Sequence, residues 1–244
     1  MNDPAEMGVS GRADPVGRRR AWLALALLVP APSLGTAAGL FWWPGEVGQG
    51  VFLAAKVWLV VFPAFWWLKV EGGRWSWSPP RRGGFGPAIL LGVVISAVIL
   101  GVYALVSQWG WIEPEMVAGP AQKAGLAEPG VYLAGAVYWV TLNSLMEEYV
   151  WRWFVFRQWE RLVGGMAAVG LAALCFTLHH IVALAAYFPW PVVMLGSLGV
   201  FAGGAIWSGL YLRYRSIWPG YLSHAIVDVP IFLIGWWLIF GQGG

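Results

Sequence analysis

The sequence has few charged residues and almost no cysteine. Only 11% of its 244 residues are charged, against about 25% in an ordinary soluble domain, which excludes a typical water-soluble globular protein. The single cysteine, Cys175, excludes an internal disulfide. The basic residues lie in short stretches beside apolar runs rather than on one polar face, so we expect no nucleic-acid partner.

The abundant residues are apolar: 59% of the chain is hydrophobic, and it contains 19 tryptophans. The apolar residues form runs of about 20, the length of helix that crosses a bilayer. Lipid offers the backbone no hydrogen-bond partner, so such runs fold as helices. We therefore predict an all-α protein, a polytopic transmembrane helical bundle of about seven spans. The predicted spans are approximately Trp22–Trp43, Gly50–Leu68, Pro87–Ser107, Val131–Trp153, Met166–Phe188, Val192–Tyr211 and Ile217–Phe240.

The distribution of basic residues predicts the orientation in the membrane, because short cytoplasmic loops hold an excess of Lys and Arg. Of the 15 basic residues, all but Lys56 and Lys123 fall on one side of the predicted spans. We expect Lys56, in span two, to extend toward the outer interface. Gln108–Gly130, which contains Lys123, is predicted as the longest outer loop. The N-terminus is predicted to be cytoplasmic, in a multi-pass protein of the cell membrane of a prokaryote.

Two adjacent carboxylates, Glu147 and Glu148, fall inside the fourth predicted span, where a charged group costs a few kcal/mol unless it has a partner or a function. Neighbouring helical positions diverge by about 100°, so we expect the two to face different ways. Glu148 and Arg152 are four residues apart on one helical face, a spacing that predicts an ion pair. Glu147 has no such partner, which leaves it for a residue of another helix.

All three histidines fall in later predicted spans, and a single histidine in an apolar helix is more often a packing residue than a catalyst. His179 and His180 lie in span five and His224 in span seven, four residues before Asp228. Counted from the basic residues at the span ends, His224 reaches the depth of Glu147, whereas His180 lies somewhat deeper. No role is assigned to His179.

These residues form an ordered pattern: Glu147-Glu148-x-x-x-Arg152, Phe176-x-x-x-His180 and His224-x-x-x-Asp228. The pattern resembles the CPBP family of intramembrane proteases, the CAAX prenyl protease and bacteriocin-processing (Abi) family. The resemblance covers about Val131 to Phe240. It implies a CPBP/Abi-like catalytic helical core at 131–244; before it, the apolar runs and basic residues predict a cytoplasmic segment at 1–20 and N-terminal transmembrane helices at 21–130.

The resemblance also implies the chemistry. Glu147 would be the general base that activates water, shared with His180, and Glu148 with Arg152 a stabilising pair. His224 and Asp228 would bind the developing oxyanion. Many members of the family have Asn where this chain has Asp228, and an ionised Asp would repel an oxyanion. Asp228 must therefore be protonated, orient His224 or help hold a metal. The implied substrate is a membrane-associated protein or peptide.

Several alternatives stay open. The favoured mechanism needs no cofactor, but the histidines with Glu147, Glu148 and Asp228 offer donors for zinc, although the usual His-Glu-x-x-His spacing is absent. A proton-coupled transporter would use the same groups as a relay, and an immunity or scaffold protein would retain the fold without activity. Cys175 is interpreted as a packing residue. The spacing Gly199-x-x-x-Gly203 predicts close helix packing.

Overall fold

The described part of the chain, residues 15–43 and 45–241 of a computed structural model, is built from helices and contains no β-strand. The first 14 residues of the predicted cytoplasmic segment, which include Arg12, lie outside the described residues. The α-helices are α1 (Pro15–Leu28), α2 (Pro30–Ala37), α3 (Glu46–Phe65), α4 (Phe85–Gln108), α5 (Pro114–Lys123), α6 (Pro129–Tyr138), α7 (Ser144–Glu147), α8 (Arg157–Val163), α9 (Gly165–Ala185), α10 (Trp190–Tyr214) and α11 (Ile217–Phe240). The π-helical stretches are Ala38–Trp42, Trp66–Val70, Trp139–Asn143 and Glu148–Phe156.

The predicted helical membrane bundle is confirmed. Six helical segments of the described chain are long and apolar enough to cross a membrane. The fourth predicted span is not among them, but it lies in an unbroken helical segment from α6 to α8. This segment carries Glu147, Glu148 and Arg152, so it is more polar than the other six.

The predicted outer loop between α4 and α6 is wrong in part, because it contains α5, which packs against α11. Pro114 begins α5 at a position where the missing N–H costs nothing. At the end of this segment the Glu128 carboxylate accepts hydrogen bonds from the N–H groups of Gly130 (3.1 Å) and Val131 (2.7 Å) and caps α6. These bonds hold the pKa of Glu128 below its usual value.

Three of the chain segments predicted to share one membrane side meet at one end of the bundle. Arg161 in α8 pairs with Glu71, which follows the second span, at 2.6 Å. Arg215, at the end of α10, pairs with Glu160 of α8 at 2.8 Å, and this carboxylate raises the pKa of Arg215 above its usual value. The ion pairs support the predicted grouping of these segments.

Gly164 sets the depth of the site, because it joins α8 directly to α9. Its φ of 90° is a conformation that favours glycine. Glu147 lies 17 residues before this turn and His180 lies 16 residues after it, so the two side chains reach the same level of the bundle. The expected greater depth of His180 disappears because the helix continues beyond Arg157 to Val163.

Helices α9 and α10 approach each other closely at Gly204 rather than at the predicted glycine pair. A Cβ at Gly204 would lie 3.3 Å from the backbone of Ala173 in α9. A Cβ at Gly199 would meet no atom within 4 Å, and one at Gly203 would meet only the ring of Trp207 in its own helix. The packing prediction for Gly199 and Gly203 is therefore wrong, since the close contact falls one position after it.

Candidate active site

The two carboxylates lie where the fourth helical segment changes its winding. Four residues of α-helix, Ser144–Glu147, separate the π-helical stretches Trp139–Asn143 and Glu148–Phe156. π-Helical turns inside α-helices occur frequently at functional sites. Within this segment Asn143 donates a hydrogen bond of 2.9 Å from Nδ2 to Glu147 Oε1, so one oxygen of Glu147 is held from its own helix.

Glu148 is fully buried and paired as its spacing predicts. Arg152 Nη1 lies 3.3 Å from Glu148 Oε1, and both side chains are inaccessible to solvent. The Arg152 guanidinium also lies over the rings of Phe176 (4.5 Å) and Trp207 (5.1 Å). The buried positive charge is therefore met by one carboxylate and two aromatic faces.

The backbone of α11 passes close to Glu148 at Gly220. A Cβ at Gly220 would lie 2.4 Å from Glu148 Oε2. Only glycine leaves room for the carboxylate at this point, so Gly220 belongs to the site although no charge or motif marks it in the sequence.

His224 contacts both carboxylates, although the two face different ways on their helix, as expected. Its Nδ1 lies 3.0 Å from Glu148 Oε1, and its Nε2 lies 3.6 Å from Glu147 Oε2. The ring is stacked on Trp207, with centroids 3.8 Å apart and an interplanar angle of 16°. The two glutamates diverge around their helix and meet opposite edges of one imidazole.

Asp228 completes the surroundings of His224 through Ser144, a residue the motifs do not include. Asp228 Oδ1 lies 3.8 Å from His224 Nε2. The hydroxyl oxygen of Ser144 lies 2.6 Å from Asp228 Oδ2 and 2.9 Å from the carbonyl oxygen of Trp139. A hydroxyl has one proton to donate, so a proton held on Asp228 Oδ2 satisfies both contacts: the acid donates to Ser144, and Ser144 donates to Trp139.

His180 reaches the same site from α9. Its Nδ1 donates to the carbonyl oxygen of Phe176 at 2.9 Å, which leaves Nε2 as the acceptor of the neutral ring. One ligand atom each of Glu147, His179 and His180 lies within 4.8 Å of the others. The Nε2 acceptor of His180 and the carboxylate of Glu147 are thus close enough to share a small molecule such as water.

His179 and Lys56 are site residues that the sequence did not identify. The His179 ring is stacked on Trp151 at 5.4 Å. Lys56 does not extend to the outer interface: its Nζ donates to Asn143 Oδ1 at 2.7 Å. The position of Lys56 in the middle of an apolar run could have marked it as a site residue. Nothing in the sequence indicates that its partner is Asn143.

A cavity of about 430 Å³ opens onto this cluster. Helices α2 and α3 form one wall, and the fourth helical segment and α9 form the other. Its titratable lining residues are Lys56, Glu147, His179, His180 and Tyr187, and apolar and aromatic side chains supply most of the rest. Glu148, His224 and Asp228 do not line it.

Residues 129–230 match the model of a family described as type II CAAX prenyl endopeptidase, Rce1-like. The chain carries an Rce1-like domain. The resemblance to CAAX prenyl proteases is thereby confirmed, and with it the coarse prediction of a membrane peptidase. No curated protein and no solved structure matches the chain. The division into segments 1–20, 21–130 and 131–244 stays a prediction.

All six predicted site residues lie within the Rce1-like domain, and the structure brings them together around His224 and Glu147. Lys56 and the cavity wall formed by α2 and α3 lie before the matched residues. The site of the Rce1-like domain is therefore completed by helices that precede it.

Of the donors considered for zinc, Glu147, His179 and His180 form a cluster of described residues that fits a metal. Two imidazoles and a carboxylate are a ligand set used by catalytic zinc. Glu148 is paired with Arg152 and His224, and Asp228 with Ser144. Within the Rce1-like domain, a zinc ion would be held by Glu147, His179 and His180, where it would polarise a carbonyl or a water molecule.

Proposed function

We propose that the chain is an intramembrane endopeptidase in which Glu147, together with His180, activates a water molecule to cleave a membrane-associated protein or peptide. The observation that carries the proposal is the position of Glu147, which lines the cavity while Asn143 fixes one of its oxygens. His180 presents an acceptor nitrogen to the same cavity. A carboxylate and an imidazole acceptor suffice to bind and orient one water.

The reaction balances with these groups alone. The water oxygen forms a bond to the carbonyl carbon of the peptide, and its proton passes to Glu147. The carbonyl oxygen becomes an oxyanion, which His224 Nε2 stabilises; Asp228, protonated and donating to Ser144, lies beside that nitrogen without adding a negative charge. The C–N bond then breaks, and Glu147 gives its proton to the leaving amine.

Glu148 and Arg152 act in this proposal without touching the substrate. Glu148 accepts from His224 Nδ1 and fixes the ring, so that Nε2 is directed toward Glu147 and Asp228. Arg152 compensates the charge of Glu148, since both side chains are inaccessible to solvent. They are positioning residues.

The substrate is proposed to be membrane-anchored, because the site lies at the level of the spans. The family description names prenylated CAAX substrates, and a prenylated peptide is therefore the first probe. Processing of a membrane-anchored protein, a C-terminal sorting signal or a peptide precursor fits the site equally.

The test is reconstitution of the full chain in liposomes with an S-farnesylated CAAX peptide and other membrane-anchored peptides. We expect cleavage by the wild type and none by Glu147→Gln or His180→Ala. If the wild type cleaves none of them while these two variants change proton flux, the site is a transporter relay and the peptidase proposal fails. A wild type without cleavage or flux supports a non-enzymatic immunity or scaffold protein.

A zinc-dependent form of the same function is the second candidate, favoured by the proximity of His179 to Glu147 and His180. We propose the metal-free form, because His224 supplies the stabilisation of the oxyanion that a metal would otherwise provide. Exhaustive chelation followed by a metal assay separates the two: activity retained in zinc-free protein excludes the zinc form.

We also propose that the N-terminus is cytoplasmic, since the basic segments gather at one end of the bundle. With seven spans the C-terminus then lies outside. Reporter fusions after residue 241, one active only in the cytoplasm and one active only outside, test this orientation.

A further inference from the structure

Lys56 is the one cation among the described residues that line the active-site cavity. It lies in the middle of α3, ten residues after the start of that helix. Its ammonium donates one hydrogen bond, at 2.7 Å, to Asn143 Oδ1. An ammonium group has three N–H donors, so two of them have no acceptor among the residues that the structure describes.

The charge of Lys56 has no carboxylate in direct contact, although Glu147 acts on it electrostatically from beyond Asn143. No carboxylate oxygen of the described residues lies within 4 Å of its nitrogen, and its hydrogen-bond partner is a neutral amide. The rings of Phe52 and Trp139, at 5.7 and 6.0 Å, offer only weak stabilisation. Arg152 differs, because Glu148 lies 3.3 Å from it.

A partly buried cation that no carboxylate contacts, and whose N–H donors are not all satisfied, favours binding of an anionic acceptor. The anionic group that a peptide brings into such a cavity is a carboxylate, either its free C-terminus or the side chain of Asp or Glu. We propose that Lys56 binds a carboxylate of the substrate and so selects peptides that carry one near the cleaved bond. This inference rests on the proposed peptidase function and adds the recognition element of the same site.

The hydrogen bonds of Asn143 determine how far the Lys56 ammonium lies from the Glu147 carboxylate. Asn143 accepts from Lys56 and donates to Glu147, so the ammonium and the general base are separated by one amide group. An extended peptide advances roughly 3.3–3.6 Å per residue. A carboxylate on Lys56 therefore places the cleaved bond within about three residues of it.

The experiment uses the full chain in liposomes and three forms of one fluorogenic peptide with an S-farnesyl cysteine four residues from its end. The forms are the free acid, the C-terminal amide and an amide whose last residue is Glu. We expect the wild type to cleave the free acid with a kcat/KM about 10- to 100-fold above that of the plain amide, the range given by a hydrogen bond to a charged group. Equal cleavage of acid and amide overturns the inference and leaves the peptidase function standing.

The variant Lys56→Met identifies the residue responsible. It is expected to lower kcat/KM for the acid far more than for the amide, so that the preference for the acid is lost. An equal loss on both forms overturns the inference, because it means that Lys56 acts only through Asn143 on Glu147. Lys69→Met, which removes an exposed cation at the end of the second span, is the matched control and is expected to keep the preference.

The amide that ends in Glu separates the two sources of the carboxylate. If it is cleaved like the free acid, Lys56 accepts a side-chain carboxylate as well; if it is cleaved like the plain amide, Lys56 requires the free C-terminus. Failure of the wild type to cleave any form overturns the proposed function and this inference with it. Should Lys56→Met not fold, Lys56→Arg is expected to keep the preference for the acid, and loss of that preference in a folded Lys56→Arg contradicts the proposal.

Discussion

Asn143 donates a hydrogen bond of 2.9 Å to Glu147 from one helical turn earlier in the same segment. The bond occupies one carboxylate oxygen and leaves the other, 3.6 Å from His224 Nε2, beside the cavity. The general base is thereby oriented before substrate arrives, which is the arrangement that preorganised catalysis requires.

Replacing Asn143 by Ala is expected to lower kcat about tenfold, because a rotating carboxylate orients water less well. KM for an amidated peptide should change little, since Asn143 does not hold the substrate. Steady-state kinetics in liposomes measures both constants. Asn143→Gln, which retains the amide on a longer side chain, should recover part of the rate. A change in KM alone, with kcat unaltered, would contradict a positioning role.

Replacing Gly220 by Ala is expected to destabilise the protein, because the added methyl group overlaps Glu148 Oε2. Overpacking of a filled site costs about 1–3 kcal/mol, and here it also displaces a buried ion pair. The midpoint of thermal unfolding in detergent should fall. Gly209→Ala is the matched control, since a Cβ there meets no atom within 4 Å, and its midpoint should stay the same or rise. Equal midpoints for the two variants would show that Glu148 does not need the space.

Replacing Arg152 by Met is expected to lower stability more than replacing Glu147 by Gln. Removal of one partner from a buried ion pair leaves an uncompensated charge and costs about 3–5 kcal/mol. Glu147 has no ion-pair partner of this kind on its own helix, so its variant should unfold near the wild-type temperature. The double variant Arg152→Met, Glu148→Gln should recover part of the loss. Failure of the double variant to recover stability would argue against the pair as the cause.

Replacing Asp228 by Asn is expected to retain most of the activity. The Ser144 hydroxyl oxygen lies 2.6 Å from Asp228 Oδ2, and an amide nitrogen at that place makes the same donation to it as a protonated carboxyl group. Asp228→Leu, which has similar volume but no donor, should lower kcat by about 10²- to 10³-fold. Rates of peptide cleavage decide the matter: loss of activity in Asp228→Asn as severe as in Asp228→Leu would mean that the carboxylate acts in its charged form.

Much of the fold was predictable from the sequence because the membrane imposes it. Apolar runs of about 20 residues must be helical in lipid, and the four-residue spacing of Glu148 and Arg152 determines their contact within one helix. The helix α5 was missed, because its short and weakly apolar sequence gives little periodic signal. The close contact at Gly204 was missed because it depends on the rotation of α10 relative to α9.

The contacts between side chains of the candidate site were predictable only where one motif contains both partners. The motifs indicated that Glu147, His180 and His224 act together, and the structure brings them to one level; their catalytic roles stay predictions. The contact of Lys56 with Asn143 joins residues 87 positions apart, and the contact of His224 with Glu148 joins residues 76 positions apart. No spacing rule predicts such pairs, since they depend on how separate helices pack.

The cleavage rate of Glu147→Gln relative to the wild type, measured in the same zinc-free liposomes with the same membrane-anchored peptide, tests the role of Glu147 most directly. An amide cannot take the proton of the attacking water, so the rate should fall by about 10²- to 10⁴-fold, while the unfolding midpoint stays near that of the wild type and the chelated wild type remains active. A Glu147→Gln protein that cleaves the peptide within about threefold of the wild-type rate would contradict the assignment of Glu147 as the general base.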